Sequence, residues 1–144
     1  MEVKQANGNI EVEKIIDLRD KILRQPWGQP KETATDTLEH YSINAYIVDE
    51  AENIIACGRL QENENKIGQI RFMAVDGNQQ GKGLGKKIVE FLEIKAKELH
   101  LNKIELQARE NAVKFYESMG YTIKEKSFLL WGQIQHYLME KTIT

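Results

Sequence analysis

Cysteine is almost missing from this chain. The single Cys57 among 144 residues can close no internal disulfide and cannot by itself build a zinc site, so no metal is expected. An excess of charge is missing as well: 20 Lys plus Arg stand against 22 Asp plus Glu, a formal net charge of −2. That balance, with a pI near 6.0, excludes a strongly basic nucleic-acid binder, and no nucleic-acid partner is expected. No stretch approaches the ~20 apolar residues that cross a bilayer, and no membrane partner is expected. Nor does an apolar segment follow Met1-Glu2-Val3-Lys4-Gln5 as it would in a secretory leader, so the expectation is a cytoplasmic protein. Proline is scarce, and its two copies bracket Pro26-Trp27-Gly28-Gln29-Pro30, which reads as a turn or loop. Without repeats, low-complexity tracts or linkers, residues 1–144 read as one domain.

What is present is an ordinary globular composition, 41% hydrophobic and 29% charged, in a chain long enough to bury a real core. After a short strand at Glu2–Gln5, Val12, Ile15, Ile16, Leu18, Ile22 and Leu23 follow helical spacing. Asn9 is the expected N-cap of that helix and Pro26 its stop. The period then changes to two, and Tyr41–Val48, Ile54–Leu60 and Ile67–Val75 read as strands joined by polar hairpin loops. Ile70–Val75 is apolar apart from Arg71, as in a central strand covered on both faces. An amphipathic helix follows, with Leu84, Ile88, Phe91, Leu92 and Leu99 on one side. Next come a strand at Lys103–Ala108 and a helix at Ala112–Met119 stopped by Gly120. Strands at Tyr121–Leu130 and Gln135–Lys141 close the chain around Trp131-Gly132. This order defines an α+β or mixed α/β domain on one sheet.

The turn Val75-Asp76-Gly77-Asn78-Gln79-Gln80-Gly81-Lys82-Gly83-Leu84-Gly85-Lys86-Lys87 carries chemistry. Alternate glycines allow backbone N–H groups to turn inward at a helix start, where the dipole favours an anion. Lys82, Lys86 and Lys87 add positive charge, so a phosphate or pyrophosphate is the natural guest. It is not a Walker loop, because Gln80 holds the first glycine position and Lys87 follows Gly85-Lys86. A dinucleotide fingerprint fails because Lys86 replaces its third glycine. A strand-to-helix turn without a ligand accounts for the glycines equally well.

With Gln80, Gly83 and Gly85 spaced as Gln-x-x-Gly-x-Gly, the segment resembles the signature of the GNAT acyltransferase superfamily. The order of elements matches over nearly the whole chain. The resemblance implies a single central, mostly antiparallel sheet of about seven strands with helices on both faces. It also implies transfer of an acetyl group from acetyl-coenzyme A to a primary amine of a small molecule or peptide. Gln80, Gly81, Lys82, Gly83, Leu84, Gly85 and Lys86 would cradle the coenzyme A pyrophosphate. Met73, Ala74 and Val75 would end a bulged strand whose amides meet the pantetheine arm and the thioester carbonyl. Ala112, Phe115-Tyr116 and Gly120-Tyr121 fit the family's second motif, but Arg109 stands at its Asn position. Arg109 is either a coenzyme A contact or a solvent-facing arginine at a strand end, and Asn111 is read as a helix N-cap.

Amine attack on a thioester develops an oxyanion and expels a thiolate, so the chemistry calls for backbone donors and a proton source. By resemblance Tyr116 is that general acid, while Phe115 serves the core. A base for the amine is sought among Glu62, Glu64 and Glu105, each also readable as a solvated carboxylate. His136, in Ile134-x-His136-x-x-Met139-x-Lys141, is a candidate substrate contact or proton relay. This ending and Leu23-Arg24-x-Pro26-x-Gly28 resemble those of some small GNAT members. His40 and His100 read as structural or solvent-facing, and Cys57 as a small apolar strand residue. Pro26–Thr37, with Trp27, either covers the acceptor or pins onto the core. GNAT members modify antibiotics, polyamines, amino acids and protein termini or lysines, and commonly pair through their last strands, so a homodimer is one expectation. A non-catalytic acyl-coenzyme A sensing module and a nucleotide-phosphate binder are the competing functions.

Overall fold

A computed structural model describes residues 1–143. Among them lies one seven-stranded sheet in the order β1-β2-β3-β4-β5-β7-β6. The strands are β1 (Lys4–Gln5), β2 (Ile43–Val48), β3 (Ile54–Asn63), β4 (Ile67–Val75), β5 (Lys103–Arg109), β6 (Thr122–Leu130) and β7 (Ile134–Thr142). Every neighbouring pair is antiparallel except β4 with β5, which is parallel. The helices are α1 (Asn9–Arg19), α2 (Leu84–Glu98) and α3 (Val113–Ser118).

The near-continuous apolar character of β2 to β4 follows from coverage on both faces. Tyr46, Cys57 and Ala74 pack with Ile15 and Leu18 of α1. Ala45, Ile47, Ala56, Leu60 and Ile70 pack with Leu84, Ile88, Val89, Leu92 and Ala96 of α2. Successive strand residues point to opposite faces, so alternate positions serve the two clusters.

Two helix boundaries differ from expectation. Gly8, not Asn9, is the N-cap of α1, and Asn9 is already helical. The Glu11 carboxylate accepts the Asn7 N–H at 2.7 Å, which fixes the entry of the chain, and the helix start itself has no side-chain cap. The helical winding does not run unchanged to Pro26. It widens into a π-helix over Asp20–Arg24, and a 3-10 turn at Gln25–Trp27 ends with Gly28 at φ 65°. π-segments of this kind displace side chains from the α register and often occur at functional sites. Asn111 is likewise no N-cap: it lies within a 3-10 turn at Glu110–Ala112, and α3 begins without a side-chain cap.

The feature that positions the site is a misfit in the centre of the sheet. Cys57 pairs with Ala74 but Arg59 with Arg71, so β4 carries one extra residue there. This β-bulge places Phe72 at φ +56°, a region sparsely occupied by aromatic residues and costing about 1–3 kcal/mol. β4 and β5 are paired only from Ile67↔Lys103 to Ile70↔Leu106. Beyond that point β5 continues against β7 as far as Arg109↔His136. The sheet therefore opens between β4 and β5 just where the bulge begins.

Candidate active site

The opening is built from backbone first. Asp76 N–H donates to the Ile55 carbonyl of β3 at 2.8 Å. Strand alternation then directs the Ala74 N–H to the same side and turns those of Met73 and Val75 toward the gap facing β5. Ala74 is buried against α1, whereas Met73 and Val75 border the larger core.

At the end of β4, Asp76 accepts the Asn78 N–H and pairs with Lys21 at 3.0 Å. The Gln80 amide folds back and donates to the Val75 carbonyl at 3.2 Å, which ties the glycine turn to the strand end. Gly81 and Gly83 have φ +81° and +78°, and a Cβ at either would meet nothing within 4 Å. Gly83 is the N-cap residue of α2 and offers no side-chain cap, leaving the first N–H groups of a 15-residue helix open to an anion. Lys82 and Lys86 are exposed beside them, with Lys82 donating to Gln79 at 3.1 Å. Leu84 points inward and is 4% exposed, so it serves the turn through its backbone. Gly85 has a different duty: a Cβ there would lie 3.3 Å from the Phe115 ring. Its missing side chain lets α3 abut the first turn of α2.

That contact fixes Tyr116. Its ring meets Phe115 edge-on at 4.9 Å between centroids and Tyr121 at 5.8 Å. Burial pushes its phenol well above the ordinary value, so Tyr116 holds its proton throughout the neutral range. Tyr121 instead donates a hydrogen bond to Glu93 at 2.8 Å, and Lys141 clamps both the Glu93 carboxylate and the Met119 carbonyl. The end of the tyrosine helix is thus pinned by a small polar network.

Across the gap, Arg109 is partly buried and donates to the Leu23 carbonyl at 3.2 Å, which sets aside the solvent-facing alternative of its two readings. His136 lies opposite it on β7, 6% exposed and stacked on Phe128 at 4.5 Å. The His136 Nδ1 lies 3.0 Å from the Ile134 carbonyl. A carbonyl only accepts, which assigns the proton to Nδ1 and leaves the Nε2 lone pair free. Burial lowers the His136 pKa, reinforced by the Arg109 charge and opposed by the Ile134 hydrogen bond.

The sheet does not bring the expected carboxylates here. Glu62 faces Gly68 at the opposite end of β4 and neighbours Lys66. Glu64 lies in the exposed turn beyond it. Glu105 stands beside Gln69 in the paired half of β4–β5, near Lys103 and Lys124. His40 and His100 are exposed. Cys57 is fully buried, and burial pushes its thiol up to about 11, so it supplies no thiolate. Trp27 remains 38% exposed and does not pin its loop to the core.

Sequence reading missed the polar cluster under the bulge. Arg19 is fully buried and holds Glu39 through two contacts at 2.6 and 3.2 Å. Arg59, also fully buried, holds Asp36 bidentately at 2.9 Å, and Arg71 adds a third contact to Asp36 at 2.8 Å. These three guanidiniums and that of Arg24 all face the Phe72 ring, 4.5 to 5.9 Å from its centroid. The signal was arginine inside otherwise apolar strands, at positions 59 and 71.

A seven-stranded sheet split beside a central bulge, with an open glycine turn at the split, defines an acyltransferase-type fold. Residues 12–121 match the acetyltransferase (GNAT) family, and the chain belongs to that family. Over 77 residues it is 38% identical to glucosamine 6-phosphate N-acetyltransferase 1 of Dictyostelium discoideum, covering 49% of each chain. Its matches span 25% to 49% of the length of such curated relatives. Among solved structures, an aminoglycoside 6'-N-acetyltransferase complexed with coenzyme A superposes with a TM-score of 0.83 at 16% identity, covering 100% of this chain and 98% of that one. The ribosomal-protein-S18-alanine N-acetyltransferase of Escherichia coli gives a TM-score of 0.81 at 17% identity, over 99% of this chain and 94% of that one. At such identities the likeness is one of fold. No helix of the described residues is long and apolar enough to cross a membrane.

Proposed function

We propose that this protein is an N-acetyltransferase that moves an acetyl group from acetyl-coenzyme A directly to a primary amine of a small molecule or peptide. The observation carrying this reading is the open glycine turn lying at the mouth of the β4–β5 gap. What supports the coenzyme there is that two left-handed glycines expose backbone to open space at the uncapped start of α2, with Lys82 and Lys86 exposed beside it. Gln80, Gly81, Lys82, Gly83, Leu84, Gly85 and Lys86 would hold the pyrophosphate. When bound, acetyl-coenzyme A supplies the activated acetyl thioester.

The remaining roles belong to the chain itself. Met73 and Val75 donate their gap-facing N–H groups and orient an acyl oxygen. Tyr116 keeps a proton on Oη at neutral pH and delivers it as general acid to a departing sulfur. His136 offers Nε2 to the proton that the amine must lose, directly or through water. The half-buried walls hold the two reactants together and exclude bulk water.

The fold also suits a sensing module that binds acyl-coenzyme A without turnover, and Arg109 at the family's Asn position is the observation favouring it. Release of free thiol from acetyl-coenzyme A in the presence of a panel of primary amines decides between the two. Amine-dependent release supports transfer. Coenzyme binding with no release for any amine supports sensing.

A further inference from the structure

The bulge end of the gap holds more positive charge than its own acids neutralise. Asp36 is occupied by Arg59 and Arg71, and Glu39 by Arg19. Asp20, the next acid nearby, accepts from the Gln25 side chain at 2.8 Å. Arg24 is 8% exposed, yet among the described residues its guanidinium meets only neutral acceptors: the Thr33 hydroxyl and carbonyl and the Leu23 carbonyl. Arg109 has the same neutral partner, the Leu23 carbonyl.

Two guanidiniums therefore converge on one uncharged oxygen, 3.1 and 3.2 Å away. Like charges brought together away from water destabilise each other unless an anion joins them. Burial lowers the pKa of Arg24 first, and the charges of Arg109, Arg71 and Arg19 lower it further against the opposing charge of Asp20; burial alone lowers that of Arg109. Arg71 extends the group across the Phe72 ring, with its side chain 40% exposed. Trp131 covers Arg24 from the β6–β7 turn, 5.2 Å from the guanidinium. Phe72 immediately precedes Met73, and Arg109 ends the strand that parts from β4. The cluster therefore lies at the bulge end of that gap, next to Met73.

We infer that the acceptor amine carries an anionic group, a carboxylate or a phosphate, bound by Arg24, Arg71 and Arg109 at the bulge end of the β4–β5 gap. The inference rests on the acetyl-transfer reading and adds to it the substrate's charge. Planar guanidiniums that bridge neutral carbonyls at rest are suited to bidentate capture of such groups. Polycationic amines meet repulsion at the same place.

The test compares four small primary amines of similar size: phosphoethanolamine, β-alanine, ethanolamine and ethylenediamine. Their kcat/KM values are read by thiol release from acetyl-coenzyme A, with wild type, Arg109→Gln and Arg109→Lys. One or both anionic amines should exceed ethanolamine by about tenfold or more, and ethylenediamine should be poorest. Their relative order tells phosphate from carboxylate. Arg109→Gln should lower the ratio of kcat/KM for the anionic amine to that for ethanolamine about tenfold, and Arg109→Lys should recover part of that ratio. Equal rates for charged and neutral amines, or an equal loss in Arg109→Gln for both, overturn the inference.

Binding alone supplies a second readout. The Trp131 indole N–H resonance should shift on titration with phosphoethanolamine or β-alanine and not with ethanolamine, and Arg109→Gln should abolish the shift. Indifference of Trp131 to both anionic amines overturns the inference even where no amine is acetylated. Coenzyme A titrated into the same preparation bears on the transferase reading alone, so the two failures are distinguishable.

Discussion

Glu39→Gln should be among the most damaging conservative substitutions in this protein, although Glu39 touches no proposed substrate. Its carboxylate receives Arg19, Asn44 and Thr35, and Arg59 stands 3.4 Å away. Burial alone would raise this carboxyl; the Arg19 hydrogen bond and charge, with hydrogen bonds from Asn44 and Thr35, outweigh it and bring the pKa from 4.5 down to about 2. At 6% exposure solvent screens little of this interaction, and such a shift corresponds to about 3 kcal/mol of native stability. Removing one member of a buried pair costs about 3–5 kcal/mol in general, because the surviving charge stays buried. The amide keeps the shape and one acceptor, so the lower figure applies. For a domain of this size, about 3 kcal/mol lowers Tm by roughly 10 °C.

The same pair sets an acid dependence. A carboxyl whose pKa is depressed on folding contributes fully above its unfolded value near 4.5, and that contribution disappears as pH falls toward about 2. Urea unfolding of wild type and Glu39→Gln from pH 7 to pH 2 should show two curves that converge through this window. A difference at pH 7 below about 1 kcal/mol, or one that does not shrink with acid, would refute the reasoning. The functional consequence is indirect. Arg19, Arg59 and Arg71 rest on the Phe72 ring, so loosening Glu39 should also raise KM for the amine by relaxing the bulge.

Gly83→Val should remove coenzyme A-dependent stabilisation; its side chain meets nothing within 4 Å, while the φ of +78° strains a β-branched residue and should lower the variant's own Tm by a few degrees without unfolding it. Wild type at coenzyme ~100 times Kd should gain about 2.7 kcal/mol and melt roughly 5–10 °C higher, a rise the variant should lack in scanning calorimetry. Tyr116→Phe should keep coenzyme affinity, since the ring still packs on Phe115 and Tyr121, but lower kcat on the order of 10²-fold. The deficit should shrink with thioesters whose thiols leave more readily. Cys57, buried and with its thiol pushed up to about 11, should resist iodoacetamide in the native protein at pH 7.5, and mass spectrometry should find it alkylated only after denaturation.

The layering of the fold was readable because it depends on periodicity. The strands β2 to β5 and the helix α2 begin and end close to where spacing and glycine placed them, and Gly120, at φ +94°, ends the tyrosine helix as a glycine there should. Gly81 and Gly83 were legible for the same reason: their left-handed backbone leaves a trace in residue type. The bulge left no such trace and was implied only through the family resemblance, because Phe72 at φ +56° is a residue that local rules would never place there. Its conformation is imposed by tertiary contacts with arginines from α1, the π-helical segment, β3 and β4. Asp36 and Glu39 sit in a polar loop where nothing local separates a buried acid from a solvated one. Glu105 looked equally suitable as a base, yet strand register alone puts it beside Lys103 and Gln69. Arg109 and His136 are far apart in sequence and become neighbours only through the β5–β7 register.

The most direct test of the account is calorimetric titration of coenzyme A into the wild-type protein. Saturable binding of one coenzyme per chain, lost in Gly83→Val with the fold intact, is the predicted result. A folded wild-type protein that takes up no coenzyme A would contradict the assignment of the glycine turn and the transferase reading built on it.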